Sequence, residues 1–133
     1  MTWVFDTDVV SVLLRSRVHT TVHERLARTP VEAQAVTSIT VGEVSYGAAK
    51  AGRPDLLDRA LSAFATMQVL PFDDAAARVY GPLRARLEKR GAVVAEADLR
   101  IGAIALSRGA VLVTGNVKHF ARIDGLKVEN WLR

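Results

Sequence analysis

The sequence has no cysteine among its 133 residues, and only 6% of its residues are aromatic. The absence of cysteine excludes disulfide bonds, zinc-thiolate sites and thiol nucleophiles, so the core alone has to stabilise the fold. Half of the residues are hydrophobic, which is enough for one core, whereas the chain is too short for two ordinary domains. We therefore expect a single domain that spans residues 1–133.

Long apolar runs are also missing. No segment reaches the roughly 18 uninterrupted apolar residues of a membrane span, and Asp6 already interrupts the first apolar run. The N-terminus lacks a basic stretch followed by a long apolar one, which is the pattern of a secretory signal. These absences lead us to expect a cytoplasmic protein without a membrane partner.

The charge balance is basic, with 18 lysines and arginines against 14 acidic residues and a formal net charge of +4. Scattered arginines favour a phosphate-bearing partner, although many basic domains never bind nucleic acid. Lys118 and Arg122 are the better candidates for contact with phosphate, because they follow Asn116 closely in the sequence. A second basic cluster on a predicted helix comprises Arg84, Arg86, Lys89 and Arg90.

Short apolar runs alternate with segments of helical periodicity. The predicted strands lie at residues 3–5, 35–39, 67–71, 111–113 and, at an edge of the sheet, 126–129. Strands that are separated by helices predict an α/β fold with a mostly parallel central sheet of four or five strands and helices on both faces. Asp8 or Thr7 is placed to cap the first helix, and Thr40 with Glu43 fits a capping box.

Four polar side chains, Asp6, Glu43, Asp98 and Asn116, lie next to these short apolar segments. Asp6 and Asn116 directly follow the apolar runs of two strands, Glu43 comes a short turn after another, and Asp98 begins a helix. A carboxylate beside a core segment is costly to desolvate, so its position requires a reason. Because ligands collect at the carboxyl ends of parallel strands, we expect the four residues at one edge of the sheet.

The chemistry of this set points to a metal ion. Carboxylate and amide oxygens suit hard cations such as Mg²⁺ or Mn²⁺. Carboxylates a few ångströms apart repel each other by about 1–4 kcal/mol per pair, and a divalent cation removes that conflict. Such an ion activates water and neutralises charge on a phosphodiester, while Glu43 is placed to orient the water or receive its proton. Asp6, Glu43, Asp98 and Asn116 therefore predict metal-dependent phosphodiester hydrolysis.

The segments that contain these residues resemble PIN-domain proteins in order and spacing. The segments are residues 5–11, 39–47, 97–103 and 112–120, and the likeness is greatest to the VapC-type toxins of bacterial toxin–antitoxin pairs. The resemblance implies a PIN-like three-layer sandwich and a magnesium- or manganese-dependent endoribonuclease that acts as a toxin. It also implies a homodimer, an RNA substrate and a small cognate antitoxin whose tail enters the active site.

The resemblance assigns roles to individual residues. Asp6 matches the first acid of the family, Glu43 the second and Asp98 the third, which makes these three the expected metal ligands. Asn116 departs from the aspartate that many members carry there, so its neutral amide argues against a second metal ion. His119 occupies a position that is often acidic in relatives, and Glu96 is a further acid close in sequence to Asp98.

Other interpretations stay open on the residues alone. Asp6 followed by Thr7 and Asp8 also fits the opening of haloacid-dehalogenase-like phosphatases, in which Asp6 would be the nucleophile. Asn116 in place of an acid is compatible with a non-cleaving PIN-like module that binds RNA or a protein. Each acid taken singly is equally well explained as a helix cap or a first-turn acid.

A possible zinc pair is the last alternative. His19 and His23 have the i, i+4 spacing of a zinc-binding pair, but no third ligand is near them in the sequence. We interpret them as part of a polar helix.

Overall fold

The computed structural model describes residues 1–15 and 17–133. These residues form a five-stranded sheet in the order β3-β2-β1-β4-β5, and its four neighbouring strand pairs are all parallel. The strands are β1 (Trp3–Phe5), β2 (Gln34–Thr37), β3 (Gln68–Leu70), β4 (Val111–Val113) and β5 (Lys127–Glu129). The predicted α/β class and the edge position of the last strand are confirmed.

Helices connect the strands, as parallel pairing requires. They are α1 (Thr7–Leu13), α2 (Thr20–Ala27), α3 (Ser38–Lys50), α4 (Pro54–Phe64), α5 (Asp74–Lys89), α6 (Glu96–Ser107) and α7 (Val117–Phe120). A single 3₁₀ turn, Val31–Ala33, precedes β2. Within residues 1–15 and 17–133, every helix is too short or too polar to cross a membrane.

The sheet separates two apolar cores, because successive residues of a strand point to opposite faces. One core contains Val4, Ala35 and Leu112 together with apolar residues of α5 and α6. The other contains Phe5, Val36 and Val113 together with residues of α1, α2 and α4 and the buried Trp131. Helices on both faces of a central sheet give the three layers that the PIN resemblance implied.

The helix starts beside the acids differ from the sequence prediction. Asp6, and not Thr7 or Asp8, caps α1, since β1 ends at Phe5 and Oδ1 of Asp6 accepts a hydrogen bond from the Thr7 N–H at 2.8 Å. The alternative that Asp6 serves as a helix cap is therefore confirmed. The second strand ends at Thr37 rather than at residue 39, and Thr37 caps α3 by accepting from the N–H of Thr40 at 3.2 Å.

The capping box of Thr40 and Glu43 is therefore wrong. Because α3 begins at Ser38, Glu43 lies in the second turn of the helix and has no capping role. Ile39 caused the error: it packs against a core cluster from the first turn of α3, and a buried apolar residue continues a strand pattern as well as a helix pattern.

Candidate active site

Asp6 and Thr114 lie side by side at the carboxyl ends of β1 and β4. These strands are neighbours in the sheet, with Phe5 paired to Val113, and the Asp6 N–H donates to the Val113 carbonyl at 2.9 Å. The hydroxyl of Thr114 donates to Oδ2 of Asp6 at 2.7 Å. The Asp6 carboxylate is therefore held by one donor on each oxygen, Thr7 N–H on Oδ1 and Thr114 on Oδ2.

Asp6 is an acid in an unfavourable environment. Only 5% of the residue is exposed. Burial raises its pKa from 3.8 to about 6; the charges of Asp8 and Asp98 raise it too, while the hydrogen bonds from Thr114 and Thr7 lower it. A buried acid with acidic neighbours is the kind of group that marks a functional site.

Asp8 is a further acid at this edge, one that the sequence interpretation considered only as a cap or as part of a phosphatase motif. Its Oδ2 accepts from the N–H of Gly115 at 2.9 Å, and its Oδ1 lies 3.5 Å from the Thr114 hydroxyl. The sequence did contain a signal for Asp8: it lies two residues after Asp6, at the junction between a strand and a helix. Asp6 caps α1 and Asp8 lies in its first turn, so both carboxylates belong to the same end of the helix.

Glu43 reaches the same edge from α3. The hydroxyl of Thr7 donates to Oε1 of Glu43 at 2.7 Å and lies 3.0 Å from the buried hydroxyl of Thr40. Thr7 thus links the residue that follows Asp6 to the helix that carries Glu43. Sequence reasoning did not single out this hydroxyl as a link, since nothing in the sequence indicates that α1 and α3 lie against each other.

Asp98 is half-buried in the first turn of α6. Burial raises its pKa, and the charges of Glu43 and Asp8 raise it further, whereas His119 lowers it. Nε2 of His119 lies 3.1 Å from Oδ2 of Asp98, but the ring is not aligned for a hydrogen bond, and this buried nitrogen has no hydrogen-bond partner among the described residues. His119 is therefore the basic neighbour of the third acid.

Asn116 and Glu96 are placed differently from the three acids. Asn116 is exposed and does not cap α7 with its side chain; its N–H donates to the Thr114 hydroxyl at 3.0 Å. Glu96 turns toward α5, where it accepts from the hydroxyl of Tyr80 and from Arg100, and the bond from Tyr80 is the main cause of its lowered pKa. Glu96 lies outside the acidic edge formed by Asp6, Asp8, Glu43 and Asp98.

The acids of this edge shift the pKa values of Asp6 and Asp98, although they come from different elements: Asp6 follows β1, and Asp8, Glu43 and Asp98 lie on α1, α3 and α6. Asp98 raises the pKa of Asp6, and Glu43 raises that of Asp98. In the described part of the chain, however, no three acidic or histidine side chains are already close enough to hold one ion. Binding a cation would require these carboxylates to draw together.

His19 and His23 belong to the start of α2. Nδ1 of His19 accepts from the N–H of Val22 at 3.4 Å, and Nδ1 of His23 lies 2.8 Å from the His19 carbonyl oxygen. Nδ1 of each imidazole thus contacts the backbone at the start of α2.

Comparison with known proteins decides the family. The model of the PIN domain matches residues 3–126. The chain belongs to the PIN-domain family. It is 35% identical over 98 residues to Ribonuclease VapC2 of Rickettsia felis, covering 73% of each protein. It is 37% identical over 97 residues to the tRNA(fMet)-specific endonuclease VapC of Shigella flexneri, covering 72% of this chain and 74% of that one.

Solved structures agree with this assignment. DNA-bound VapBC from Salmonella typhimurium has a TM-score of 0.89 and 31% identity, with 98% of both chains covered. VapBC2 from Rickettsia felis, bound to a promoter DNA fragment, has a TM-score of 0.89 and 26% identity, with 98% of this chain and 99% of that chain covered. The predicted membership among VapC-type PIN-domain proteins is confirmed, and the family favours that interpretation over the phosphatase alternative.

Proposed function

We propose that this chain is a magnesium- or manganese-dependent endoribonuclease, that it acts as the toxin of a toxin–antitoxin pair, and that residues 1–133 work as one domain. The observation that carries the proposal is the buried Asp6, whose pKa is raised to about 6 by burial and by the charges of Asp8 and Asp98. A carboxylate kept in such a place against its own desolvation is explained by a cation that it binds.

The donor set fits a hard divalent ion. Asp6 and Asp98 would be its principal ligands, with Glu43 supporting the ion or its water. Each Asp6 oxygen accepts one hydrogen bond, so lone pairs remain on both. When bound, Mg²⁺ or Mn²⁺ supplies Lewis acidity and makes water a better nucleophile near neutral pH.

Hydrogen bonds from neighbouring groups orient the carboxylates of Asp6 and Glu43. Thr114 and the Thr7 N–H fix the plane of the Asp6 carboxylate, and the Thr7 hydroxyl directs Oε1 of Glu43. Glu43 is exposed, so its carboxylate is placed to take up the proton of the attacking water. Asn116 offers a neutral amide at the rim, which adds no charge for a second ion.

Substrate and partners are proposed from the relatives. A ribonuclease and a tRNA(fMet)-specific endonuclease among them support RNA as substrate, and we favour single-stranded or loop RNA because unstacked nucleotides are easier to present. The VapBC complexes among the solved relatives support a cognate antitoxin as partner. A homodimer remains our proposal from the family resemblance.

Cleavage of a loop-containing RNA in Mg²⁺ or Mn²⁺ tests the proposal. We expect Asp6→Asn, Asp98→Asn and Glu43→Gln each to lower kcat/KM, the two aspartate variants by more than about 100-fold. Chelation of the metal should abolish cleavage. Asp58→Asn, at an exposed position of α4, is the control and should cleave like the unchanged protein.

Three results would contradict the proposal. Cleavage by the three variants at the unchanged rate would show that these acids do not form the site. Covalent phosphate on Asp6 would favour the phosphatase alternative. RNA binding without cleavage in any divalent metal would favour the non-cleaving module.

A further inference from the structure

A cavity of about 490 Å³ opens beside the acidic edge, between α1, α3 and α4. Thr7 and Glu43 are among its lining residues, and they are joined by a hydrogen bond of 2.7 Å. Whatever fills the cavity therefore lies next to the Glu43 carboxylate. Its volume is within the range of pockets that bind small organic groups.

Arginines also line this cavity. Nε and Nη2 of Arg53 donate to the two carboxylate oxygens of Asp55 at 2.9 and 2.7 Å, and Nη1 of Arg59 donates to the Leu14 carbonyl at 3.0 Å. Both side chains remain about half exposed, at 53% and 45%. Since a guanidinium carries five donors, each is held in position with donors left over. Such fixed guanidinium groups suit phosphate.

Part of the cavity wall is apolar. Leu14, Val44 and Leu56 contribute to it, and the first two pack on the core beneath. An inorganic anion gains nothing from such a wall, whereas the face of a nucleobase does. Apolar wall and fixed guanidinium groups together match the two halves of a nucleotide.

We infer that this cavity binds one nucleotide of the RNA strand, immediately beside the phosphodiester that is cut. The base lies against Leu14, Val44 and Leu56, and the phosphate contacts Arg53, Arg59 and the exposed Arg15 at the rim. The inference rests on the proposed function and names the substrate pocket of that site. Arg53 and Arg59 beside an apolar lining favour a nucleotide over a protein segment as occupant, because one nucleotide supplies both a phosphate and a flat apolar face.

Gly47 gives a test that leaves the fold intact. It lines the cavity from α3, and a Cβ added there meets nothing within 4 Å. Gly47→Leu puts a side chain into the cavity while improving helix propensity, and Gly47→Ala makes the same backbone change with little added volume. We expect Leu to weaken RNA binding by about 10-fold or more and Ala to leave it within about 2-fold.

The binding measurement uses a fluorescent oligoribonucleotide and the Asp98→Asn background, so that the probe stays intact. The same probe is then prepared with a single abasic nucleotide at each position in turn. Removal of one particular base should weaken binding to the protein that has Gly47. That penalty should disappear with Gly47→Leu, since the base is already excluded from the cavity.

Arg53→Gln and Arg59→Gln test the phosphate half. Each should raise KM for cleavage with little change in kcat, and each lost phosphate contact should make the log–log salt dependence of binding shallower by about 0.7. Arg78→Gln is the matched control, because Arg78 forms an i, i+4 pair with Asp74 on α5, as Arg59 does with Asp55 on α4. The control should keep KM and the salt dependence unchanged.

The outcomes separate this inference from the proposed function. If the Asp6 and Asp98 variants lose cleavage while the Gly47 and arginine variants bind and cut RNA normally, the pocket inference alone is overturned. The same holds if those variants lose only the antitoxin, since the cavity is then a protein-docking groove. If no metal supports cleavage but the abasic and Gly47→Leu effects appear, the nucleotide pocket stands and the nuclease proposal fails.

Discussion

Thr114 donates its hydroxyl hydrogen to Oδ2 of Asp6 at 2.7 Å, across 108 positions of sequence. Both residues are buried, and the same hydroxyl oxygen accepts the N–H of Asn116 at 3.0 Å. One side chain thus joins the carboxylate after β1 to the turn after β4. This hydroxyl is a positioning group for the first acid.

Thr114→Val tests that role, because valine has nearly the same shape and lacks the hydroxyl. Loss of the bond leaves a buried carboxylate with one donor fewer, so we expect a loss in the free energy of unfolding of about 1–3 kcal/mol. We also expect kcat/KM for RNA cleavage to fall by about 10-fold. Thr114→Ser keeps the donor and should recover most of the activity. Equal activity of the valine and serine variants would exclude a positioning role.

The raised pKa of Asp6 predicts how stability depends on pH in metal-free protein. The folded-state pKa is about 6 and the ordinary value is 3.8, so the folded protein binds more protons than the unfolded chain between these values. The stabilisation is complete below about pH 4 and is lost as the pH rises through about 6. A shift of about two pKa units corresponds to a change of about 3 kcal/mol in the free energy of unfolding.

Asp6→Asn removes the contribution of Asp6 to the pH dependence of stability, so comparison of the two proteins separates that contribution from those of the other acids. The variant should exceed the unchanged protein in free energy of unfolding by up to about 3 kcal/mol at neutral pH, and the difference should vanish below about pH 4. Urea unfolding at a series of pH values measures it. Asp58→Asn, at an exposed position, should show no such difference. A destabilised Asp6→Asn protein at neutral pH would contradict the cost that we assign to the buried charge.

Metal binding should offset the destabilisation that the neighbouring acids cause in the folded protein. An ion that binds the folded state alone stabilises it by about 2.7 kcal/mol at a concentration of 100 times Kd. Addition of millimolar Mg²⁺ or Mn²⁺ should therefore raise Tm, and Asp6→Asn or Asp98→Asn should abolish most of the rise. Sodium chloride at matched ionic strength is the control for screening. An unchanged Tm in the presence of metal would argue against a well-formed site.

The sequence predicted the sheet well, because β1, β2, β3 and β4 each contain a short apolar run and are each followed by a helix. It placed Asp6 and Asn116 correctly at the ends of β1 and β4, since the rule that ligand residues follow parallel strands needs only the strand positions. Glu43 and Asp98 were singled out by their positions beside apolar segments, and the PIN resemblance gave them the roles of second and third acid; the orientation of their helices could not be read from their own pattern. The direct role of these residues in catalysis stays a prediction.

The errors came from contacts between distant segments. Thr7 and Asp8 were assigned to capping because the pattern alone does not reveal that β1 passes into α1 through Asp6. Their bonds to Glu43 and Gly115 depend on how α1 lies against α3 and the turn after β4. Glu96 is close in sequence to Asp98, yet its hydrogen bonds with Tyr80 and Arg100 hold it outside the acidic edge.

His119 gives the last prediction, since it is the neighbour that lowers the pKa of Asp98. His119→Leu should let that pKa rise further, so the acid has to lose a proton at higher pH before it can bind a cation. The acidic limb of the kcat/KM profile should then move to higher pH, with a larger loss of cleavage on the acid side of the profile than on its alkaline side. His119→Gln, which keeps a polar side chain but no basic nitrogen, should fall between the two proteins. A uniform loss at every pH would instead show that His119 only packs against α6, because loss of packing alone does not change the titration of Asp98.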